Sequence, residues 1–268
     1  MPIPASPLDV LLPLDRAGER IPAEADERTL ATLYAHPLPG SGTAWVRANM
    51  VASLDGAATG PDRRSGTING EADLRVFQVL RAAADVVLIG AGTARAEGYG
   101  ALTVPAGLAA ARADRGQRAD LELAVISGAG TLPAALLDTD RPPLIVTMAD
   151  RPDLDALRAR IGADRVVVAG VGHVDLSAAL ADLAARGLVR VLAEGGPHVL
   201  GDLLAAGLVN ELCLTWSPLL VAGPASRVIA HTAWFSPAVV ATPAHLLHSD
   251  GVLLGRWLLP VTRPAQPH

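Results

Sequence analysis

The stretch that most constrains this chain is Val191-Leu192-Ala193-Glu194-Gly195-Gly196-Pro197-His198-Val199-Leu200-Gly201-Asp202. An apolar run ends in a carboxylate, two glycines permit a tight turn, and Val199, Leu200, Leu203 and Leu204 follow at helical spacing. That order predicts a strand, a glycine turn and a helix. A helix N-terminus presents unpaired N–H groups and a partial positive charge, and glycine removes the Cβ that would keep an anion away. The stretch therefore reads as an anion site, with a dinucleotide pyrophosphate as the candidate ligand. Chain geometry without a ligand is the alternative reading of so short a motif.

A second unit of the same kind lies upstream. Residues 85–89 form a short β-branched run suited to a buried parallel strand, and Gly90-Ala91-Gly92-Thr93 follows as a turn opening a helix. Further short strands are predicted at 45–52, 121–126, 144–147, 166–168 and 189–192. Helices are predicted at 71–84, 152–161 and 176–186, the last stopped by Gly187. Strands alternating with helices imply a mostly parallel sheet covered on both faces. At the end of the chain, 211–221 and 252–259 are two apolar runs joined by a Pro-rich, His-containing loop without a helix, and they read as an antiparallel pair closing the sheet. Ser53-Leu54-Asp55-Gly56 is a turn, with Asp55 as turn former; 59–69 is the candidate mobile loop, and 105–120 a surface excursion. Residues 1–43 read as an extension packed on a single domain spanning 44–268, with one short helix at 25–34.

Several function classes are excluded by composition. No apolar run reaches the roughly 18 residues of a membrane span, and the N-terminus lacks a basic start and apolar stretch, so a cytoplasmic location is expected. The net charge of -5 comes without a basic run, which argues against nucleic acid. All 22 basic residues are arginine, which removes Schiff-base and P-loop lysine chemistry. The single Cys213 sits between Leu212 and Leu214 as a buried thiol and forbids an internal disulfide or a Cys-rich zinc site. The seven histidines show no ligand spacing, so no metal is expected.

The combination of Ala52-Ser53-Leu54-Asp55-Gly56, Leu80-Arg81-Ala82, Gly90-Ala91-Gly92-Thr93, Glu194-Gly195-Gly196-Pro197 and Gly207-Leu208-Val209-Asn210-Glu211-Leu212 resembles the reductase domain of riboflavin biosynthesis, over about 45–259. The resemblance implies an α/β, dihydrofolate reductase-like three-layer fold, with a mostly parallel central sheet and antiparallel C-terminal strands. It also implies NADPH as cofactor, reduction of a ribosylaminopyrimidinone 5′-phosphate, and a homodimer formed near the apolar closing strands. The zinc deaminase of bifunctional members, with its Cys-x-x-Cys signature, has no counterpart in a chain with one cysteine.

Carried over residue by residue, the resemblance assigns cofactor contacts to Ala52, Thr93, Ser127 and the turn of Gly195, Gly196, Pro197, His198, Val199, Leu200, Gly201 and Asp202. The upstream glycine turn adds Gly90 and Gly92. Ser127 ends a strand where a 2′-phosphate would accept its hydrogen bond, or is simply a turn residue; Arg151 is either a second anchor or a surface arginine. On the substrate side the resemblance points to Asn49, Ser65, Arg81, Leu102 and Glu194. Glu194 stands at the mouth of the sheet, where it either accepts from an aminopyrimidine or caps nearby N–H groups. Arg81 has the alternative of an ordinary helix-end cation. Ala72-Asp73-Leu74 with Phe77 resembles the helix of dihydrofolate reductases that carries their pterin-binding carboxylate, so Asp73 joins Glu194 as a catalytic candidate, or only favours the helix dipole.

The chain departs from the family pattern in two places. Asn49 stands where the family has lysine, and Leu102-Thr103-Val104-Pro105 stands where it has Leu-Thr-Val-Arg. Arg63, Arg64 or Arg112 are the candidates to replace those phosphate-binding cations. Reduction of dihydrofolate or another pterin, and dinucleotide binding without catalysis, are the alternative functions.

Overall fold

The β-branched runs become the strands of one 11-stranded sheet in the computed structural model, which describes residues 3–37 and 43–260. The strands are β1 (Leu8–Leu12), β2 (Arg20–Ile21), β3 (Trp45–Ser53), β4 (Val86–Gly90), β5 (Glu122–Ile126), β6 (Leu144–Thr147), β7 (Val166–Val168), β8 (Arg190–Ala193), β9 (Glu211–Ser217), β10 (Thr242–Ser249) and β11 (Val252–Leu258). Their order is β2-β1-β10-β11-β9-β3-β8-β4-β5-β6-β7. From β9 through β3 to β7 the neighbours run parallel, and from β9 outward to β2 they run antiparallel. Strand β9 is the seam between the two regimes.

The helices are α1 (Arg28–Leu33), α2 (Glu71–Ala83), α3 (Ala91–Glu97), α4 (Ala106–Asp114), α5 (Ala134–Leu137), α6 (Leu154–Ile161), α7 (Leu176–Ala185) and α8 (Pro197–Ala205). Ala72, Val76, Val79 and Leu80 recur at helical spacing and put α2 into one core with Leu108 of α4, Leu137 of α5 and Leu157 of α6. Leu180 and Leu183 of α7, with Leu200 and Leu203 of α8, build the core on the opposite face. The arrangement is a three-layer α/β sandwich of the expected class. Asp175 caps α7 by accepting from the Ala178 N–H at 3.0 Å, and Gly187 ends it at φ +81°.

Three segments differ from their sequence reading. The loop before β11 contains a further strand, β10, joined to β11 by an Asp250-Gly251 hairpin turn. The 105–120 stretch is packed rather than superficial: Leu108 and Arg112 are each 1% exposed, and a Cβ on Gly107 would lie 1.9 Å from the Ala25 carbonyl. The 59–69 loop, read as mobile, is tied to α3, where the Ser65 N–H donates to Glu97 Oε1 at 2.8 Å.

The N-terminal segment supplies β1, which pairs with β10, and its Glu27 forms a sealed ion pair with Arg75 of α2 at 2.6 Å. Arg75 also donates to the carbonyls of Ser6, Ile21 and Pro22, so one side chain fastens three points of the segment. The link at 38–42 lies outside the described residues. On the far face of the seam, Leu212, Leu214 and Trp216 of β9 remain half-exposed, and Trp216 meets Trp257 edge to face at 6.3 Å. Among the described residues no helix is long and apolar enough to cross a membrane.

Candidate active site

Adjacent parallel strands β3, β8 and β4 end at the same edge, and the chain leaving each of them borders one cleft of about 530 Å³. Clefts at the carboxyl ends of such strands are where α/β folds bind ligands.

One wall comes from the two glycine turns, which interlock. The Gly90 N–H donates to the Gly195 carbonyl at 2.8 Å, and a Cβ on Gly90 would lie 2.9 Å from a Val199 methyl. A Cβ on Gly196 would sit 2.7 Å from Thr93 Oγ1, and Gly195 holds φ +90°, a conformation that favours glycine. Gly92, Thr93, Gly196 and Pro197 line the cleft, and no side chain caps the first turn of α8. The uncapped first turn of α8, with the Thr93 hydroxyl brought close by a glycine at 196, is a set of groups that could hold an anion.

The other residues assigned to the cofactor lie farther back. Ala52 is buried in β3. His198 and Asp202 are exposed on α8, and Val199 packs against Gly90. Leu200 is buried in the core, and a Cβ on Gly201 would lie 2.2 Å from the Ala230 carbonyl, so both seat the helix rather than border the cleft. Ser127 ends β5, where its hydroxyl donates to the Gly130 carbonyl at 3.1 Å and accepts from Arg151 at 3.2 Å. Arg151 is 5% exposed, not superficial; it clamps the carbonyls of Ser127, Gly128 and Gly130 and pairs with Asp153.

The opposite wall gathers Asn49, Ser65, Asp73, Arg81, Leu102 and Glu194, residues scattered over 146 positions. Glu194 lines the cleft and is held by two side chains rather than by N–H groups of the turn. Arg81 grips it bidentately, Nε to Oε1 and Nη2 to Oε2 at 2.7 Å each, and the Tyr99 hydroxyl donates to Oε2 at 2.6 Å. The guanidinium lies 4.1 Å from the Phe77 ring centroid and 5.6 Å from that of Tyr99. Burial, then the neighbouring Glu194 carboxylate, pushes the Tyr99 hydroxyl well above its ordinary pKa, so it remains a donor. Arg81 is thus the bidentate partner of a buried carboxylate, and more than a helix-end cation.

Asp73 occupies the first turn of α2, yet it is 4% exposed and turned into the cleft. Its side-chain partner among the described residues is the Thr215 hydroxyl, which donates to Oδ1 at 2.5 Å. Burial raises its pKa to about 6, against the pull of that hydrogen bond. Asp55 behaves oppositely: the Ser53 hydroxyl and the N–H groups of Ala222 and Val221 hold it down at about 2, and it staples a turn.

Of the three substitute cations, Arg63 lines the cleft, Arg64 is turned to the Ala96 carbonyl at 3.2 Å, and Arg112 is buried against the carbonyls of Ala82, Ala84, Arg118 and Asp120. Cys213 is buried and its thiol is pushed up to about 12 by that burial, as its apolar flanks foretold. Among the described residues no group of three or more His, Cys, Asp or Glu side chains is arranged to hold a metal ion. Sequence reasoning missed Tyr99 and Thr215, and it named Phe77 only as part of the Asp73 helix. Tyr99 was accessible to it, because the chain has only two tyrosines and this one stands between glycines after a helix.

Known proteins share this architecture. The chain is 31% identical over 188 residues to the 2,5-diamino-6-ribosylamino-4(3H)-pyrimidinone 5′-phosphate reductase of Methanothermobacter thermautotrophicus, covering 69% of this chain and 82% of that protein. It is 28% identical over 187 residues to the enzyme of the same name from Archaeoglobus fulgidus, covering 69% and 85%. A pyrimidine reductase-like protein of Corynebacterium diphtheriae superimposes with a TM-score of 0.74 at 27% identity, covering 88% of this chain and 99% of that one. The riboflavin biosynthesis reductase of Saccharomyces cerevisiae shares the fold, with a TM-score of 0.60 at 15% identity over 87% of this chain and 99% of that one. The model of the RibD C-terminal domain matches residues 44–240, and with these relatives it establishes that the chain belongs to the RibD C-terminal domain family.

Proposed function

We propose that this chain is an NADPH-dependent reductase that converts a ribosylaminopyrimidinone 5′-phosphate to its ribitylamino form. The observation that carries the reading is the placement of Asp73, a buried carboxyl with a pKa of about 6, in the same cleft as the Gly196–Thr93 cradle. The names of the two archaeal relatives favour the 2,5-diamino compound as substrate.

Ring opening of the ribosylamino group gives an imine, whose reduction needs one hydride at C1′ and one proton at nitrogen. Bound NADPH supplies the hydride equivalent, as a nicotinamide cofactor does wherever it is held and oriented. Gly92, Thr93, Gly196 and the first turn of α8 are the groups suited to holding its pyrophosphate. Asp73 is the proton source: near pH 6 about half of it carries a proton, and a donor with a pKa near the working pH is the most effective. Thr215 keeps the carboxyl oriented. Arg81, fixed by Glu194 and flanked by Phe77 and Tyr99, presents a rigid polar and aromatic wall to a flat heterocycle.

Asp73 also suits protonation of a pterin, so the decisive assay runs substrates side by side. Loss of NADPH absorbance is expected with the diamino or the deaminated pyrimidine phosphate and not with dihydrofolate. Turnover of dihydrofolate alone rejects the reading in favour of a pterin reductase, and tight NADPH binding without turnover of any of them leaves a binding protein.

A further inference from the structure

Two arginines line the cleft, Arg63 and Arg81, facing the three carboxylates Asp73, Glu97 and Glu194. Arg81 is committed to Glu194, whereas Arg63 has no carboxylate partner among the described residues. Among the described residues, Arg63 is the cleft-lining cation that a dianionic phosphate would meet without a carboxylate already paired to it. Phosphate recognition relies on arginine, lysine or clustered N–H groups, and the chain has no lysine.

The backbone points to the same residue. Arg63 adopts φ +61°, a left-handed conformation that residues with a Cβ avoid. Such a conformation persists where its surroundings enforce it, and it concentrates at ligand sites. Here the enforcement is visible. The Arg63 N–H donates to the Gly60 carbonyl and the Gly60 N–H to the Arg64 carbonyl, each at 3.1 Å. The Arg64 N–H donates to Asp62 Oδ1 at 3.0 Å, and Arg64 Nε and the Ser65 N–H bind Ala96 and Glu97 at the end of α3. A Cβ on Gly60 would lie 2.5 Å from a Thr67 methyl, so the turn closes only around glycine there. A turn latched to α3 at two points thus presents one unpaired guanidinium at the rim, next to Ser65 and Asn69, which also line the cleft.

We propose that Arg63 is the phosphate anchor of this chain, the residue that makes the site select a phosphorylated sugar over its unphosphorylated counterpart. The identity of the sugar phosphate as the 5′-phosphate of the pyrimidine substrate rests on the reductase reading above. The anchor is a specificity-determining group remote from C1′, so it acts on substrate capture rather than on the reduction step.

The test compares the wild type with Arg63→Ala, Arg63→Gly and Arg63→Lys on the pyrimidine 5′-phosphate and on the same compound after phosphatase treatment. Loss of one charge-assisted contact predicts a KM for the phosphorylated substrate raised roughly 10- to 100-fold in the Ala and Gly variants, with an intermediate value for Lys. The kcat and the KM for the dephosphorylated compound stay unchanged. Arg63→Gly relieves the left-handed backbone, so an unaltered or raised thermal midpoint in that variant separates loss of the cation from loss of fold. A phosphorylated-substrate KM that does not move, or one that moves together with that of the dephosphorylated compound, overturns the anchor while turnover upholds the reductase. If the wild type reduces neither compound, the reductase reading falls, and calorimetric titration with ribose 5-phosphate against ribose decides on Arg63 by itself. Binding of the phosphate that Arg63→Ala abolishes upholds the anchor, and a wild type that does not prefer the phosphate overturns it.

Discussion

The buried face of β9 carries Glu211 at one end and Thr215 at the other, and the carboxylates at these two points are treated in opposite ways. Glu211 is fully buried and accepts from Arg47 at 2.8 Å, from the Trp45 indole at 2.5 Å and from Arg256. Burial alone would raise its pKa, but Arg47 and Arg256 together hold it below the ordinary value. Asp73, beside Thr215, is buried as deeply but meets a single hydroxyl, and its pKa climbs to about 6. A buried carboxylate with arginines beside it is a fixed charge that welds strands together. One without them becomes a group that exchanges a proton in the physiological range. The same strand therefore supplies scaffold at one end and chemistry at the other.

The largest test of this contrast is Glu211→Gln. Removing the acid leaves Arg47 and Arg256 without their counter-charge, with only the carbonyls of Tyr34, Ala35 and Leu33 to accept from them, and the chain is expected to lose about 3–5 kcal/mol of stability in guanidinium unfolding. A loss below about 1 kcal/mol would erase the distinction between the two ends.

Asp73→Asn is expected to do the reverse. The folded carboxyl keeps its proton up to about pH 6 while the unfolded one releases it near 3.8, so the folded state binds more protons in between. Wild-type stability therefore falls as pH rises through that window. The Asn variant lacks this slope and should be more stable than wild type at pH 8 by about 3 kcal/mol, with the difference vanishing below pH 3.8. Its kcat/KM should drop by about 100-fold or more, and the wild-type rate should decline above pH 6. A destabilised Asn variant at pH 8 would make Asp73 another structural charge.

Thr215→Val is the finest probe. The hydroxyl favours the ionised carboxylate by about 1 kcal/mol, so its loss should move the pH–rate profile upward by roughly one unit. A downward movement would mean that a protonated Asp73 donates to Thr215 instead, and would reverse the assigned direction of that hydrogen bond.

The contrast also explains which parts of the molecule were legible beforehand. Gly195, Gly196, Gly90 and Gly92 announce themselves locally, because a strand that ends in glycines before a helical pattern has few other readings, and α2 carries its apolar face in its own spacing. The grip of Arg81 on Glu194 spans 113 residues, and that of Arg47 on Glu211 spans 164; no spacing rule connects them. Arginine was the hardest type to place. In a chain whose every cation is arginine it looks like surface composition, yet Arg47, Arg75 and Arg112 are among the largest fully buried side chains, each donating to carbonyls or carboxylates around it, with only Nε of Arg47 left without a partner among the described residues. Strand β10 escaped because its proline and histidines mask the alternation, although the Asp250-Gly251 turn after it was a readable hairpin signal. The N-terminal strands β1 and β2 are too short and too close to proline to stand out from a linker.

The position of β3 bears on how the chain is made as well as on what it does. Arg47 in β3 is in register with Leu192 of β8 on one side and with Glu211 of β9 on the other, so the strand at the middle of the sheet has no neighbour until the last third of the protein exists. At ribosomal speeds of about 5–20 residues per second, the segment that will hold the cleft waits on the order of 10–30 s in an emerging chain before either flank arrives. During that interval a nine-residue apolar strand, Trp45–Ser53, has both edges open. Sequence changes that leave the finished enzyme untouched but lengthen this exposure, such as a slowly translated stretch before β8, would be felt as lost yield rather than lost activity.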